Sequence, residues 1–460
     1  MQLEKEIARA IRHIAASDTQ SSPSIEEQAR IASRVLNDVT AGSYHFENTE
    51  SIVLKQGSKK RLAKRYTDRY SSENVLCQCI KQVLDNDFKV RYPNRNKISR
   101  SLFDILSAVI QMTDYTIVKF DFKNYFNSIS SDYAFKKIID NRISDRLMRQ
   151  VISDYCNKTK FAFAGLPTSN AIAEIMASEF DALIEQSFEK MGVIFYSRYI
   201  DDSVLILNRC VEDSAIRMKL DNILDAVFRD RETNAQYCCK TRFNRSKYSY
   251  ISSRTITANP VSFDYLGYEF WLKSSAPGKT EIQCGITQDK RLKYRKRLEK
   301  LIKLYTDPNS TDYKNIELLR HRVAAFSSRE VYLSTKHQTS VWKVKGFISN
   351  YGELRFLLGT KRLHPETDLY LKNMVKDVFS QAGLLPGFVV DSDKIDSGYN
   401  LYHNMKKNKT LLLVDGIGYD YRALVNLCGQ VGISNIEANG KKRTYSSLVR
   451  DYLIKVRVGY

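Results

Sequence analysis

Two adjacent acids, Asp201 and Asp202, lie between the apolar runs Val193-Ile194-Phe195-Tyr196 and Val204-Leu205-Ile206-Leu207. Apolar, β-branched and aromatic runs on either side of a turn-like pair predict a hairpin with its acids at the tip. Upstream, Tyr115-Thr116-Ile117-Val118-Lys119-Phe120 predicts a buried strand that runs into a third acid, Asp121. Acids at the ends of apolar strands are costly unless they are solvated or hold a cation. An isolated Asp-Asp pair more often marks a soluble turn, so the surrounding residues decide.

Composition narrows the partners. Lys and Arg number 72 against 52 Asp and Glu, a formal charge of +20 with pI near 9.4. That surplus attracts polyanions, either nucleic acid or an anionic membrane face. No apolar run reaches 18 residues, so no membrane span is expected. The N-terminal MQLEKEIARAIRHIAA lacks the apolar stretch of a signal peptide. Nucleic acid is the expected partner, with no membrane and a cytoplasmic location. The eight Cys, including Cys77, Cys79, Cys238 and Cys239, form no paired CxxC spacing with His, so reduced thiols are expected rather than zinc or disulfides.

Along the chain, residues 1–40 read as helical with polar breaks near Ser17–Ser24. A cationic stretch follows: Lys55, Lys59, Lys60, Arg61, Lys64, Arg65 and Arg69. Residues 73–88 have apolar residues at helical spacing. Helices are expected at about 132–155, 168–190 and 212–228, with a strand pair around 237–270. Beyond Asp289, Leu298, Leu301, Ile302 and Tyr305 repeat at helical intervals with Lys and Arg around the other face. Residues 313–380 read as largely helical, and the last 70 carry no recognisable motif.

Strand-end acids from neighbouring strands suit nucleotidyl transfer, which uses two Mg²⁺ ions about 3.5–4 Å apart and hard oxygen ligands. In this setting RYIDDSVLIL (198–207) resembles the catalytic hairpin of the reverse transcriptase family. VKFDFKNYFNSI (118–129) resembles its first catalytic motif, an acid followed five positions on by an aromatic. AGLPTSNAIAEI (164–175) is similar to the glycine turn and helix between them, CCKT (238–241) to the lysine motif, and FDYLGYEF (263–270) to the primer-grip hairpin. The resemblance covers roughly 50–280, with a thumb implied to about 380.

It implies an α+β right-hand polymerase: N-terminal helices and fingers over 1–114, a palm over 115–285 with a fingers insertion near 130–163, a helical thumb over 286–380, and a C-terminal extension over 381–460. Asp121, Asp201 and Asp202 become the catalytic acids and metal ligands, and the Phe122 carbonyl adds an oxygen. The ions are two Mg²⁺, with Mn²⁺ as a substitute. Lys64, Arg65 and Lys240 face the triphosphate. Phe126 is the steric gate against a ribose 2′-hydroxyl, and Gly165 lets the backbone approach the nascent base pair. Tyr199, Leu266, Gly267, Lys293, Arg295 and Arg297 face primer and template. Where most relatives carry Pro-Gln before the glycine, this chain has Phe163-Ala164.

The implied activity is RNA-directed DNA synthesis from dNTPs on an RNA template or a non-coding RNA, with a DNA product. RYPNRNKISRSL (91–102) and the GLPTSN turn look most like bacterial anti-phage defence reverse transcriptases, in particular the first subunit of the type 3 defence-associated system. A second reverse transcriptase subunit or a homo-oligomer is then an implied partner. The family's retron branch carries a Val-Thr-Gly after the lysine motif that is missing here. Alternatives are a template-independent or protein-primed DNA polymerase of the abortive-infection type, and a non-catalytic RNA-binding scaffold.

Overall fold

The computed structural model describes residues 2–17, 23–56, 59–229, 232–276, 279–336, 339–390, 399–437 and 440–457. They form two compact units: 1–98 with 112–255, and 99–111 with 256–460. The fold is α+β, built mainly on antiparallel sheets.

The first unit starts with helices Gln2–Ser17 and Ile25–Ala41, the second opened by a capping box of Ser24 and Glu27. A hairpin of β1 (Glu50–Gln56) and β2 (Lys59–Arg65) follows, then helix Ser72–Asp87. The side chains of Lys55, Lys59, Lys60 and Arg61 lie outside the described residues. The central sheet has the order β4-β5-β3-β6, with β3 (Thr116–Asp121), β4 (Val193–Tyr199), β5 (Asp202–Leu207) and β6 (Ser249–Ser252) all antiparallel.

Period two sorts the faces of β3. Val118, Phe120 and Phe122 enter the core, where Phe120 and Phe122 lie 6.4 and 5.1 Å from Phe180 of helix Ser169–Phe188. Lys119 and Asp121 therefore point to the opposite face. The helix expected at 132–155 is instead a series of short turns over 131–142 and a helix Arg146–Thr159. Asp145 breaks it by capping the Met148 amide at 2.8 Å.

In the second unit β7 (Val261–Tyr265), β8 (Tyr268–Ala276) and β9 (Lys279–Ile286) form an antiparallel sheet. Phe103 packs on it, 5.1 Å from Tyr268 and 5.2 Å from Phe270, which draws residues 99–111 into this unit. Helix Gln288–Thr306 buries Tyr294, Leu298, Leu301 and Ile302.

The helical expectation for 313–380 is corrected by a hairpin of β10 (Arg329–Lys336) and β11 (Thr339–Lys345) between helices Ile316–Phe326 and Pro365–Gln381. β12 (Thr410–Leu413) pairs parallel with β10, and Leu413, Leu424, Cys428, Leu448 and Tyr452 share a core with Leu318 and Ala325. The C-terminal residues are thus built into the second unit through a common sheet and core. The eight cysteines are free thiols. Among the described residues no helix is long and apolar enough to cross a membrane.

Candidate active site

The β3–β5 ladder sets Asp121 directly opposite Asp202. The Phe122 amide donates to the Asp201 carbonyl at 2.9 Å, so the hairpin tip is tied to the end of β3. All three expected acids thus meet at one sheet end. Phe122 buries its ring in the core, 5.2 Å from Tyr125, and forms an isolated bridge with Phe243. Its neighbours supply that bridge's bonds, Lys123 N to Arg242 O at 2.8 Å and Asn244 N to Asp121 O at 2.7 Å.

Three basic residues hold this end, and sequence reasoning assigned none of them a role. Lys119 is 3% exposed and places Nζ 3.3 Å from Asp202 Oδ1. Its partner across the ladder is Val204, so Asp202 is the diagonal neighbour on the same face. Lys247, just before β6, places Nζ 2.5 Å from Asp121 Oδ2, and Asn244 Nδ2 donates to Asp121 Oδ1 at 3.4 Å. Burial opposes the Lys247 charge, yet the bond to Asp121 and the charges of Asp121, Asp201 and Asp202 hold its pKa above the ordinary lysine value.

Arg198 fixes the turn. Its guanidinium pairs with Glu174 at 2.7 Å and Asp181 at 2.9 Å, both on helix Ser169–Phe188, and Nη1 donates to the Ile200 carbonyl at 2.9 Å. Ile200 has φ 62°, a left-handed conformation that a β-branched residue adopts only when its surroundings enforce it. Tyr199 pairs with Asp202 beside it.

The donor chemistry suits a divalent cation: hard carboxylate oxygens on adjacent strands, Asp121 and Asp202, each already facing a lysine ammonium. Among the described residues no group of three or more His, Cys, Asp or Glu is assembled to hold a metal. Lys247 stands against Asp121, and its side chain is 39% exposed, so it has room to withdraw.

Of the two aromatics that follow Phe122, Tyr125 is buried with its hydroxyl donating to the Ala173 carbonyl at 3.0 Å, and Phe126 is half-buried. Gly165 has φ 99°, and a Cβ there would stand 2.4 Å from the Lys64 carbonyl. The Lys64 amide donates to Ala164 O at 2.8 Å, so the close approach visible at Gly165 is to strand β2. Arg65 is exposed and pairs with Glu50 at 2.9 Å. Lys64 Nζ lies 4.1 Å from the Phe163 ring, and Lys240 Nζ lies 5.3 Å from the Phe161 ring.

In the second unit Leu266 and Gly267 make the β7–β8 turn with φ 53° and 82°, the signature of a primed hairpin turn. On helix Gln288–Thr306 the expected phosphate-facing residues divide. Arg295 pairs with Glu299 at 3.1 Å and also bonds Gln381, and Arg297 lies over the Tyr294 ring at 5.2 Å. Both arginines thus have partners within their own unit. The exposed stripe is Lys293, Lys296, Lys300 and Lys303, spaced three or four residues apart on one face.

Residues 53–270 match the family described as reverse transcriptase (RNA-dependent DNA polymerase). The retron Ec83 reverse transcriptase of Escherichia coli is 33% identical over 112 residues, 22% of this chain and 35% of the relative. The alignment therefore spans about a third of that relative's length. A solved telomerase from Candida albicans, in complex with a fragment of telomeric RNA, aligns over 88% of this chain and 65% of that one, at 14% identity with a TM-score of 0.35.

Proposed function

With a reverse transcriptase domain at residues 53–270 as the premise, we propose that this chain is an RNA-directed DNA polymerase that adds deoxynucleotides with Mg²⁺. The observation that carries the reading is Asp121 opposite Asp202 at one sheet end, with Asp201 in the adjoining turn. Asp121, Asp201 and Asp202, with the Phe122 carbonyl, would hold the metal, which when bound supplies charge stabilisation at the transferring phosphate. The chain's own part is positioning. Arg198 holds the hairpin tip, Lys119 fixes Asp202 from the same face, and Lys247 balances the charge of Asp121.

Phe126 is the proposed sugar gate, because it is the aromatic left on the accessible side after Tyr125 packs inward. Lys64 and Lys240 are the proposed phosphate contacts, and Tyr199, Leu266 and Gly267 the proposed primer contacts. The substrates in this reading are dNTPs and an RNA template or non-coding RNA. A part in anti-phage defence is read from the sequence stretches 91–102 and 165–170, and a cytoplasmic place from the free thiols. The test is extension of a primer on matched RNA and DNA templates with dNTPs or rNTPs. The reading expects a DNA product on the RNA template, and ribonucleotide incorporation equal to or above dNTP incorporation would overturn it.

A further inference from the structure

Phe161 and Phe163 sit in a loop whose backbone is pinned on three sides. Ser131 N donates to Lys160 O at 3.0 Å, Ala162 N to Ile129 O at 3.0 Å, and Lys64 N to Ala164 O at 2.8 Å. The two rings meet edge to face with centroids 6.1 Å apart. Lys64, arriving from β2, lies over the Phe163 ring, and Lys240, arriving from the segment before β6, lies over the Phe161 ring. Lys160, beside them in sequence, lies over Tyr237 at 5.2 Å. Three ammonium groups from separate segments thus each rest on an aromatic face. Cations seek such faces because the ring quadrupole is negative there, and desolvation strengthens the attraction. The arrangement also answers a repulsion: burial first, and then the charge of Lys160, push the Lys64 pKa below the ordinary lysine value.

We propose that Phe163 is a positioning residue for the incoming nucleotide, its ring holding the Lys64 ammonium where it meets the phosphates and coupling it through Phe161 to Lys240. The proposal rests on the polymerase reading above. A flexible lysine held on a rigid ring loses less freedom when the anion arrives, so the ring acts chiefly on nucleotide binding.

The experiment is steady-state dNTP incorporation by the full chain on a primed RNA template. It compares wild type, Phe163→Met, Phe163→Tyr, Lys64→Gln and the Phe163→Met/Lys64→Gln pair. Phe163→Met should raise KM for dNTP about 2- to 30-fold, the equivalent of one cation–π interaction, with a far smaller change in kcat. Phe163→Tyr should restore KM. The double variant should match Lys64→Gln alone, because both changes remove one interaction. A series of fluorinated phenylalanines at 163 keeps the shape, and KM should climb with each fluorine as the ring face loses negative charge. Additive effects of the Met and Gln changes, or a KM indifferent to fluorination, would overturn the positioning role. A wild-type protein that incorporates nothing would instead overturn the polymerase reading.

Discussion

Replacing Arg198 by Met removes the cation that two carboxylates of helix Ser169–Phe188 share. The Arg198 side chain is 5% exposed, Glu174 is 9% and Asp181 is 29%. Breaking a buried pair by deleting one partner costs about 3–5 kcal/mol, because the surviving charge stays buried. Here two acids survive, but Asp181 reaches water, so the same range applies. The Ile200 turn, a left-handed conformation costing about 1–3 kcal/mol, also loses the bond that anchors its carbonyl. Urea unfolding reads the first effect, and hydrogen exchange over residues 198–207 reads the second. Incorporation should drop by about 100-fold, the scale of a displacement near 1 Å at a reacting centre. Neutralising the acids as well, in Arg198→Met/Glu174→Gln/Asp181→Asn, should recover most of the stability. A single variant within about 0.5 kcal/mol of wild type, or one that polymerises normally, would refute the anchoring role.

Other outcomes follow from the same geometry. Gly165→Ala would place its Cβ against the Lys64 carbonyl at a φ of 99°, so it should destabilise the first unit by about 1–3 kcal/mol, read as a lowered urea midpoint; an unchanged midpoint would mean that the β2 segment yields easily. Phe126→Ala should admit ribonucleotides, and an unchanged dNTP preference in competition assays would place the gate elsewhere. Charge reversal at Lys296 and Lys300, on the exposed stripe, should lower the salt slope of template–primer binding by about 0.7–0.9 for each phosphate no longer neutralised. Titrations at several salt concentrations that give identical slopes would make that stripe a solvated face. The same reversal at Arg295 should instead lower the unfolding midpoint, through its bonds with Glu299 and Gln381.

The acids were legible because Asp121 follows a continuous apolar, β-branched run and Asp201-Asp202 lie between two more, and those runs also marked the three strands β3, β4 and β5. Their partners were not legible. Lys247 lies 126 residues from Asp121, and Glu174 lies 24 from Arg198, and an ion pair made by tertiary packing leaves no local signature. The hairpin 329–345 escaped because its strands sit between two helices, and helical spacing on both sides masks them. β12 pairs with β10 in parallel, a long-range contact that no turn motif announces. Helix Gln288–Thr306 was recognised by its apolar repeat, but which cations face solvent depended on Glu299, Gln381 and Tyr294. Gly165 was expected to face the nascent base pair, and its close approach to Lys64 was not legible, because that partner comes from a strand about 100 residues earlier.

The most direct test of the central claim is RNA-templated dNTP incorporation by wild type and Asp201→Asn across a Mg²⁺ titration. Asp201 is chosen over Asp202 because Asp202→Asn would also take a carboxylate from the buried Lys119 ammonium, at about 1–3 kcal/mol. The account predicts Mg²⁺-dependent synthesis by wild type and less than about 1% of that rate in the variant, with an unchanged unfolding midpoint and unchanged RNA binding. Incorporation by Asp201→Asn at a rate near wild type would contradict it.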